Sequence, residues 1–371
     1  MIILLKSLYQ ISKTLIPEFF ASQFVRYREK NTKFGNKLRI NLDKQKAQTQ
    51  LLLFCPVNNW EINMINAFKE LFVTTHFEKP PGQFFSNKHE WQIYRDKNEA
   101  EFKNFFNDWY NKKKINIIFL YISEFYLNPD LSYLKKENTI VFLFSWDDRL
   151  HFHSWHKGQS VGISQMCQHA DINLSMGDKA LDRYFLKKSI VFDWNKLIKD
   201  FSKPTTQTQN WVFKKLTNRV LFFGSRYGFR AKLVNKLRSQ GIPVDAFGPG
   251  WENDFVSNKK LSKMVKSYAL TLGCSTIGYG RTLEILKGRD FEVPLMGGLY
   301  LTSHSNYLRN IYPDDAVMSY KTIKECVFIC RTVLQNPSSY YSYRNKAYNI
   351  ALNYSWKNRV AVLNNLLQSE Y

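Results

Sequence analysis

The sequence predicts an α/β chain of two Rossmann-like, doubly wound parallel-sheet domains facing a central cleft. Three observations carry this. Apolar runs of strand length alternate with helical stretches from Leu51 onward. A polar segment rich in Thr and Gln, FSKPTTQTQNW at 201–211, then interrupts the alternation. The same strand–helix pattern restarts after it, and 371 residues are comfortable for two domains. The expected division is a basic amphipathic segment at 1–50, an N-terminal domain at 51–205, a C-terminal domain at 212–355 and a terminal helix at 356–371.

In residues 1–50, Ile2, Ile3, Leu4, Leu5, Leu8, Ile11, Leu15, Ile16, Phe19 and Phe20 recur at helical spacing. Ten Lys and Arg residues face three acidic ones in this stretch. An apolar face with surrounding cations describes a helix lying in an anionic membrane surface. It equally describes a helix packed on the protein itself and followed by a solvated basic linker. From Leu51 the run LLLFCPV reads as a strand buried on both faces. Asn58, Asn59 and Trp60 form a loop and 61–71 a helix. Further apolar strands fall at 115–121 and 139–144, the second running into Ser145, Trp146, Asp147 and Asp148. Short late strands are expected at 170–174 and 190–192.

The second half opens with a strand at 219–223, a loop at 224–228 and a helix at 229–240. Gly241, Ile242 and Pro243 turn the chain into a strand at 244–247, followed by Gly248, Pro249 and Gly250. Strands are expected at 268–274 and 299–302, with a helix at 291–296 between them and consecutive helices over 321–370.

Lys and Arg number 53 against 31 Asp and Glu, a formal net charge of +22 that calls for an anionic partner. Nucleic acid, an anionic membrane and a phosphorylated small molecule all qualify. No helix-turn-helix, zinc-finger or RNP-type signal is present, which disfavours nucleic acid. The five cysteines form no CxxC pair and fit a reducing compartment. Cys326 and Cys330 read as two small apolar residues on one helix face. No apolar run is long enough to span a bilayer and no signal-peptide core is evident, so the expected location is cytoplasmic.

Ligands of doubly wound sheets bind beyond the carboxyl ends of the strands. In the loop GSRYGFR, 224–230, Gly224 and Gly228 permit a tight turn with exposed amides before a helix N-terminus, a geometry suited to phosphate. Arg226 and Arg230 add charge-assisted donors. The loop has neither a full GxGxxG nor a P-loop signature, and an ordinary strand-to-helix turn with surface arginines is the alternative. In RTLEILKGRDFEVPLMGG, 281–298, seven residues separate Glu284 from Glu292, with Lys287 and Arg289 among them and Gly297 and Gly298 after. A carboxylate can accept both hydroxyls of a ribose, and a cation can steady a diphosphate leaving group. Asp147, Asp148, His151, His153 and His156 form a third cluster. Asp147 or His151 is a candidate base for an acceptor hydroxyl, and a solvated polar loop is the plainer reading. His-x-His-x-x-His also invites a metal, but no metal site is expected.

The stretch 281–298 resembles the donor-site signature of GT-B glycosyltransferases, in which seven residues separate two glutamates. Arg289-Asp290-Phe291-Glu292, the following glycines and the LYLT strand resemble the CgeB-like branch. The segment 222–251, Asp314 to Val317, and Tyr354 to Val360 are similar as well, so the likeness spans about 219–362. It implies a glycosyltransferase using a nucleotide-sugar donor as substrate, with no cofactor. Glu292 would bind the donor ribose, Gly224, Arg226, Arg230, Arg289 and Gly297 would line the rest of the donor site, and Glu284 would sit near the transferred sugar. Glu284 departs from the usual E-x-F-G, which leaves retention or inversion open. The acceptor would be a glycan, a lipid-linked sugar or a protein, as in bacterial surface polysaccharide synthesis. The likeness also implies that the helix from Ser355 crosses back to the first domain. A non-catalytic glycan- or nucleotide-binding protein with the same fold, or a basic membrane- or nucleic-acid-binding protein, stands as the alternative.

Overall fold

The protein is described by a computed structural model covering residues 49–56, 61–79, 87–146, 152–156, 159–176, 181, 183–184, 187, 189, 191–201, 216–275 and 285–368. Residues 1–48 of the basic segment, residues 202–211 of the linker, Asp147, Asp148, His151 and Glu284 lie outside the described residues. The chain divides into two compact units, one holding residues 203–355 and the other 12–202 together with 356–371.

In the first unit the described elements are β1 (Thr49–Pro56), α1 (Ile62–Leu71), β2 (Val73–Lys79), α2 (Lys88–Trp109), β3 (Ile115–Leu120), β4 (Thr139–Ser145), β5 (Trp155–His156), β6 (Gln159–Ser160), β7 (Ile172–Ser175), β8 (Val191–Asp193) and α3 (Trp194–Phe201). The large sheet runs β2-β1-β3-β4-β7-β8, and its neighbouring strands pair in parallel throughout. β5 and β6 form a separate antiparallel ribbon. β3 is buried at all six positions, as its apolar run requires of a strand covered on both faces. α1 turns Met64, Ile65, Ala67 and Phe68 into the core. The 22-residue α2 was not anticipated, because its sequence is strongly charged; Trp91, Phe102 and Phe106 nonetheless form a buried edge. Asn87 caps it by accepting from the Glu90 amide at 2.8 Å.

The second unit contains β9 (Thr217–Phe223), α4 (Gly228–Ser239), β10 (Val244–Phe247), α5 (Asn258–Ser267), β11 (Tyr268–Leu272), α6 (Gly288–Leu295), β12 (Tyr300–Ser303), α7 (Asn306–Arg309), β13 (Met318–Tyr320), α8 (Ile323–Gln335) and α9 (Tyr341–Leu352). Its sheet runs β10-β9-β11-β12-β13, again parallel. Arg344 of α9 is fully buried and donates to the carbonyls of Lys266 and Ala269 at 3.1 Å each, and to that of Tyr268. It thereby satisfies the end of α5 and the entry to β11. Cys326 and Cys330 are both buried in the core cluster of this unit.

The last helix, α10 (Trp356–Gln368), belongs to the first unit and packs on α1 and α3. Trp194 donates through its indole nitrogen to the Arg359 carbonyl at 3.3 Å, and Arg359 donates to Asn195 Oδ1 at 3.1 Å. The rings of Trp146 and Trp194 lie 5.9 Å and 5.7 Å from that of Trp356. The strand order returns to the middle of each sheet. β9 has β10 on one side and β11 on the other, and β1 likewise separates β2 from β3. Those reversals open the crevices at the carboxyl ends of the strands where such sheets take ligands.

Candidate functional site

In the second unit the reversal falls between β9 and β11, and the loop leaving β9 is the one singled out by its glycines and arginines. Gly224 has φ +127°, outside the range L side chains adopt readily. Its amide donates to the Phe247 carbonyl at 2.9 Å, and the Arg226 amide to the Pro249 carbonyl at 2.8 Å. Its carbonyl accepts from the Trp251 indole at 2.8 Å. The loops after β9 and β10 therefore touch backbone to backbone. A Cβ on Gly248 would stand 3.1 Å from the Gly224 carbonyl carbon and oxygen.

Two guanidinium groups converge on Gly224. A Cβ there would lie 3.0 Å from Nη1 of Arg289 and 3.6 Å from Nη1 of Arg230. Arg289, on α6, is 5% exposed and donates to the Phe223 carbonyl. Its guanidinium carbon lies 5.6 Å and 5.7 Å from the ring centroids of Phe222 and Phe223. Arg230, in the first turn of α4, is 8% exposed, with its guanidinium 4.4 Å from the centre of the Tyr227 ring. Arg226 is exposed and packs its guanidinium 5.5 Å from the Trp251 ring centre. Like charges this close repel in a low dielectric, and an anion between them relieves both the repulsion and the cost of burial.

α6 is fixed by Asp290. Its Oδ2 accepts from the Lys287 amide at 2.6 Å and its Oδ1 from the Tyr300 hydroxyl at 2.8 Å. Burial pushes the Asp290 carboxyl above its ordinary range, against the pull of these donors and of Arg289. Burial likewise lifts the Tyr300 phenol. Tyr300 reaches Asp290 across the bare backbone of Gly273, where a Cβ would stand 2.0 Å from the phenol oxygen. Two residues further along α6, the half-buried Glu292 folds back toward the helix start. A Cβ on Gly288 would lie 3.4 Å and 3.6 Å from its two carboxylate oxygens.

Gly224, Arg230 and Arg289 are thus brought together, and Glu292 stands on the same short helix as Arg289. Gly297 lies apart from them. It ends α6 with φ +73°, its carbonyl accepts from Arg344 Nη1 at 3.3 Å, and it precedes β12. In a parallel sheet that is the amino edge, opposite the loop of Gly224, where Gly297 serves as a helix stop. Asp290, Tyr300, Gly273 and Trp251 were missed. Asp290 had a readable signal, an acid in the first turn of a helix; the other three depend on packing across strands.

In the first unit, His153 is described, and partial desolvation followed by the charges of Arg183 and Lys187 pulls its imidazole down to about 4. The side chain of His156 lies outside the described ones. Among the described residues no group of three His, Cys, Asp or Glu could hold a metal ion, and no helix is long and apolar enough to cross a membrane.

Residues 229–365 match the family model described as glycosyl transferase-like. No curated protein sequence matches the chain. Among solved structures, a trehalose-6-phosphate synthase studied for glycosyl transfer with retention aligns with TM-score 0.54 at 9% identity, over 86% of this chain and 98% of that one. The T4 phage glucosyltransferase BGT in complex with UDP-glucose aligns with TM-score 0.50 at 10% identity, over 86% and 98%. A UDP-N-acetylglucosamine 2-epimerase from Listeria monocytogenes aligns with TM-score 0.50 at 9% identity, over 86% and 95%. At such identities the likeness is one of fold, and fold alone does not choose between transfer and epimerisation. The chain thus has the GT-B fold of these structures, and its residues 229–365 match a glycosyl transferase-like family model.

Proposed function

We propose that this transferase moves a sugar from a nucleoside diphosphate sugar to a hydroxyl acceptor, and that the donor diphosphate lies against the Gly224 loop. The observation that carries the reading is the convergence of the buried Arg289 and Arg230 guanidiniums on Gly224 at the reversal of the strand order. A departing nucleoside diphosphate gains negative charge in the transition state. Fixed cations beside it therefore accelerate transfer more than they tighten ground-state binding. Arg289 and Arg230 neutralise the diphosphate, the amides at the start of α4 add hydrogen bonds, and Arg226 covers the open side. Glu292 accepts from the donor ribose. Because arginines and a helix N-terminus supply the field, the reaction requires no divalent metal or other cofactor.

Glu284 faces the transferred sugar in this reading, and Asp147 or His151 serves as the base named by the sequence. The acceptor is a glycan, a lipid-linked sugar or a protein of surface polysaccharide or glycoconjugate synthesis. The protein works in the cytoplasm, with the basic segment at 1–50 on the anionic inner face of the membrane; nucleic acid is not a partner.

The test is a calorimetric titration with UDP, GDP and CMP and their sugars, followed by product analysis in EDTA. The expected result is binding of a nucleoside diphosphate and release of that diphosphate from its sugar. Binding to none of them, or conversion of the donor sugar to its epimer, would sink the reading.

A further inference from the structure

The two faces of the second sheet are unlike. One face of β11, β12 and β13 carries Leu270, Leu272, Leu301, Met318 and Tyr320, all buried in the core cluster of the unit. Side chains alternate between faces along a strand, and Thr271 pairs with Tyr300 in the register of β11 and β12. Thr271 of β11, and Gly273 and Ser275 beyond it, therefore share the opposite face with Tyr300 and Thr302. A sheet covered on both faces is expected to be apolar on both. Here one covered face is polar: Ser275, Tyr300 and Thr302 are fully buried, as is Asp290 of α6, which meets Tyr300. Buried polar groups are costly unless hydrogen-bonded.

These groups form one directional chain. The Ser275 and Thr302 hydroxyl oxygens lie 3.1 Å apart. The Thr302 hydroxyl donates to the Tyr300 phenol oxygen, which leaves Ser275 as the donor to Thr302. The phenol donates to Asp290 Oδ1 at 2.8 Å, and the Lys287 amide donates to Asp290 Oδ2 at 2.6 Å. The Ser275 amide donates to Ser303 Oγ at 2.7 Å and ties the far end of the chain to β12. Hydrogen bonds in such a series polarise and strengthen one another. The chain thus runs from the carboxyl ends of β11 and β12 to the first turn of α6. Arg289 immediately precedes Asp290, so whatever fixes Asp290 fixes the turn from which Arg289 reaches the Phe223 carbonyl and Gly224.

We propose that Asp290, Tyr300 and Thr302 are positioning residues for Arg289, their chain holding its guanidinium on the donor diphosphate. This rests on the donor reading above. A fixed cation stabilises a leaving group only when it is held within about 0.5 Å of its productive place. Without the phenol, Asp290 keeps the Lys287 amide as a donor but loses its tie to the sheet. The first turn of α6 is then free to shift, and Arg289 shifts with it.

The test is a double-mutant cycle, read by calorimetric titration of the full chain with UDP, UDP-glucose, GDP and GDP-mannose. A free nucleoside diphosphate carries the charge that the donor develops as its sugar leaves, so it reports on Arg289 more than the nucleotide sugar does. Tyr300→Phe removes one hydroxyl and keeps the ring. It should lose about tenfold in affinity for the free diphosphate and about threefold or less for its sugar. Arg289→Ala should show the same bias. The double variant should bind no more than about twofold worse than Arg289→Ala alone. Thr302→Val should follow Tyr300→Phe, whereas Thr302→Ser, which keeps the hydroxyl, should bind as wild type. That pair decides the matter if melting curves show that Tyr300→Phe does not fold. Wild-type affinity in Tyr300→Phe, an equal loss for diphosphate and sugar, or losses that multiply in the double variant would each overturn the proposal while leaving the donor reading intact. Binding of none of the probes by wild type would remove the donor reading and this proposal with it.

Discussion

Replacing Gly224 with alanine tests the convergence on which the donor site depends. The residue has φ +127°, and the added Cβ would meet Nη1 of Arg289 at 3.0 Å. Holding an L residue in such a conformation costs about 1–3 kcal/mol. Displacing Arg289 from the Phe223 carbonyl forfeits a hydrogen bond from a charged group, worth about 1.5–3 kcal/mol. Partial relaxation leaves a loss of roughly 3–5 kcal/mol, or a fall in Tm of about 10 °C for a domain of this size. Gly241→Ala is the internal control. It also has positive φ, +77°, but a Cβ there meets nothing within 4 Å, so it reports backbone strain of about 1–2 kcal/mol alone. Scanning calorimetry and nucleotide titration on both variants give the answer. Gly224→Ala should be the less stable and should lose at least about tenfold in nucleoside diphosphate affinity, roughly 1.4 kcal/mol; Gly241→Ala should bind as wild type. If the two are equally stable and both bind normally, the guanidiniums do not meet at Gly224.

The other expectations concern separate parts of the chain. Glu292→Ala should weaken nucleotide binding by roughly 1–3 kcal/mol, while Arg289→Ala should reduce turnover more than donor affinity; steady-state kinetics beside titration separates the two. Glu61→Gln should be more stable than wild type above pH 7 and equal to it near pH 4. A carboxyl raised from 4.5 to about 7 contributes stability below its unfolded pKa that is lost as pH rises to the folded value. The upper limit of that gain is about 3 kcal/mol, read from melting curves across pH. Trp356→Ala should cost about 2–4 kcal/mol by emptying the ring cluster with Trp146 and Trp194, without changing nucleotide affinity.

Legibility followed burial geometry. β1, β3 and β4 were readable because a strand covered on both faces must be apolar where it is buried, and β9 was readable by its buried second half, Val220 to Phe223. β2, with the sequence VTTHFEK, was not, since an edge strand needs only one good face. The long α2 hid its buried residues Trp91, Phe102 and Phe106 among charges. In the site, Gly224 and the arginines stood out by residue type and by position after a strand. The place of Gly297 at the end of α6 was not readable, because sequence order does not say which sheet edge a glycine pair will occupy. Gly273 and Tyr300 were invisible for a similar reason, as their fit exists only once β11 and β12 lie side by side. Glu61 looked like any acid at the start of a helix until the fold buried it.

The position of α10 sets the order in which the protein can be completed during synthesis. Residues 12–202 leave the ribosome before residues 203–355, yet the wall formed by Trp356, Arg359 and the rest of that helix is encoded after them. Residues 203–355 hold all their described strands and helices in one continuous stretch and can close as soon as they emerge. The unit of residues 12–202 is thus completed only after residues 203–355 have been made. Until the ribosome releases the final turns, Phe144 and Trp194 wait with an uncovered aromatic face. A nascent or prematurely terminated chain would show that face to chaperones, and a stop codon near the end would damage the beginning of the protein more than its middle.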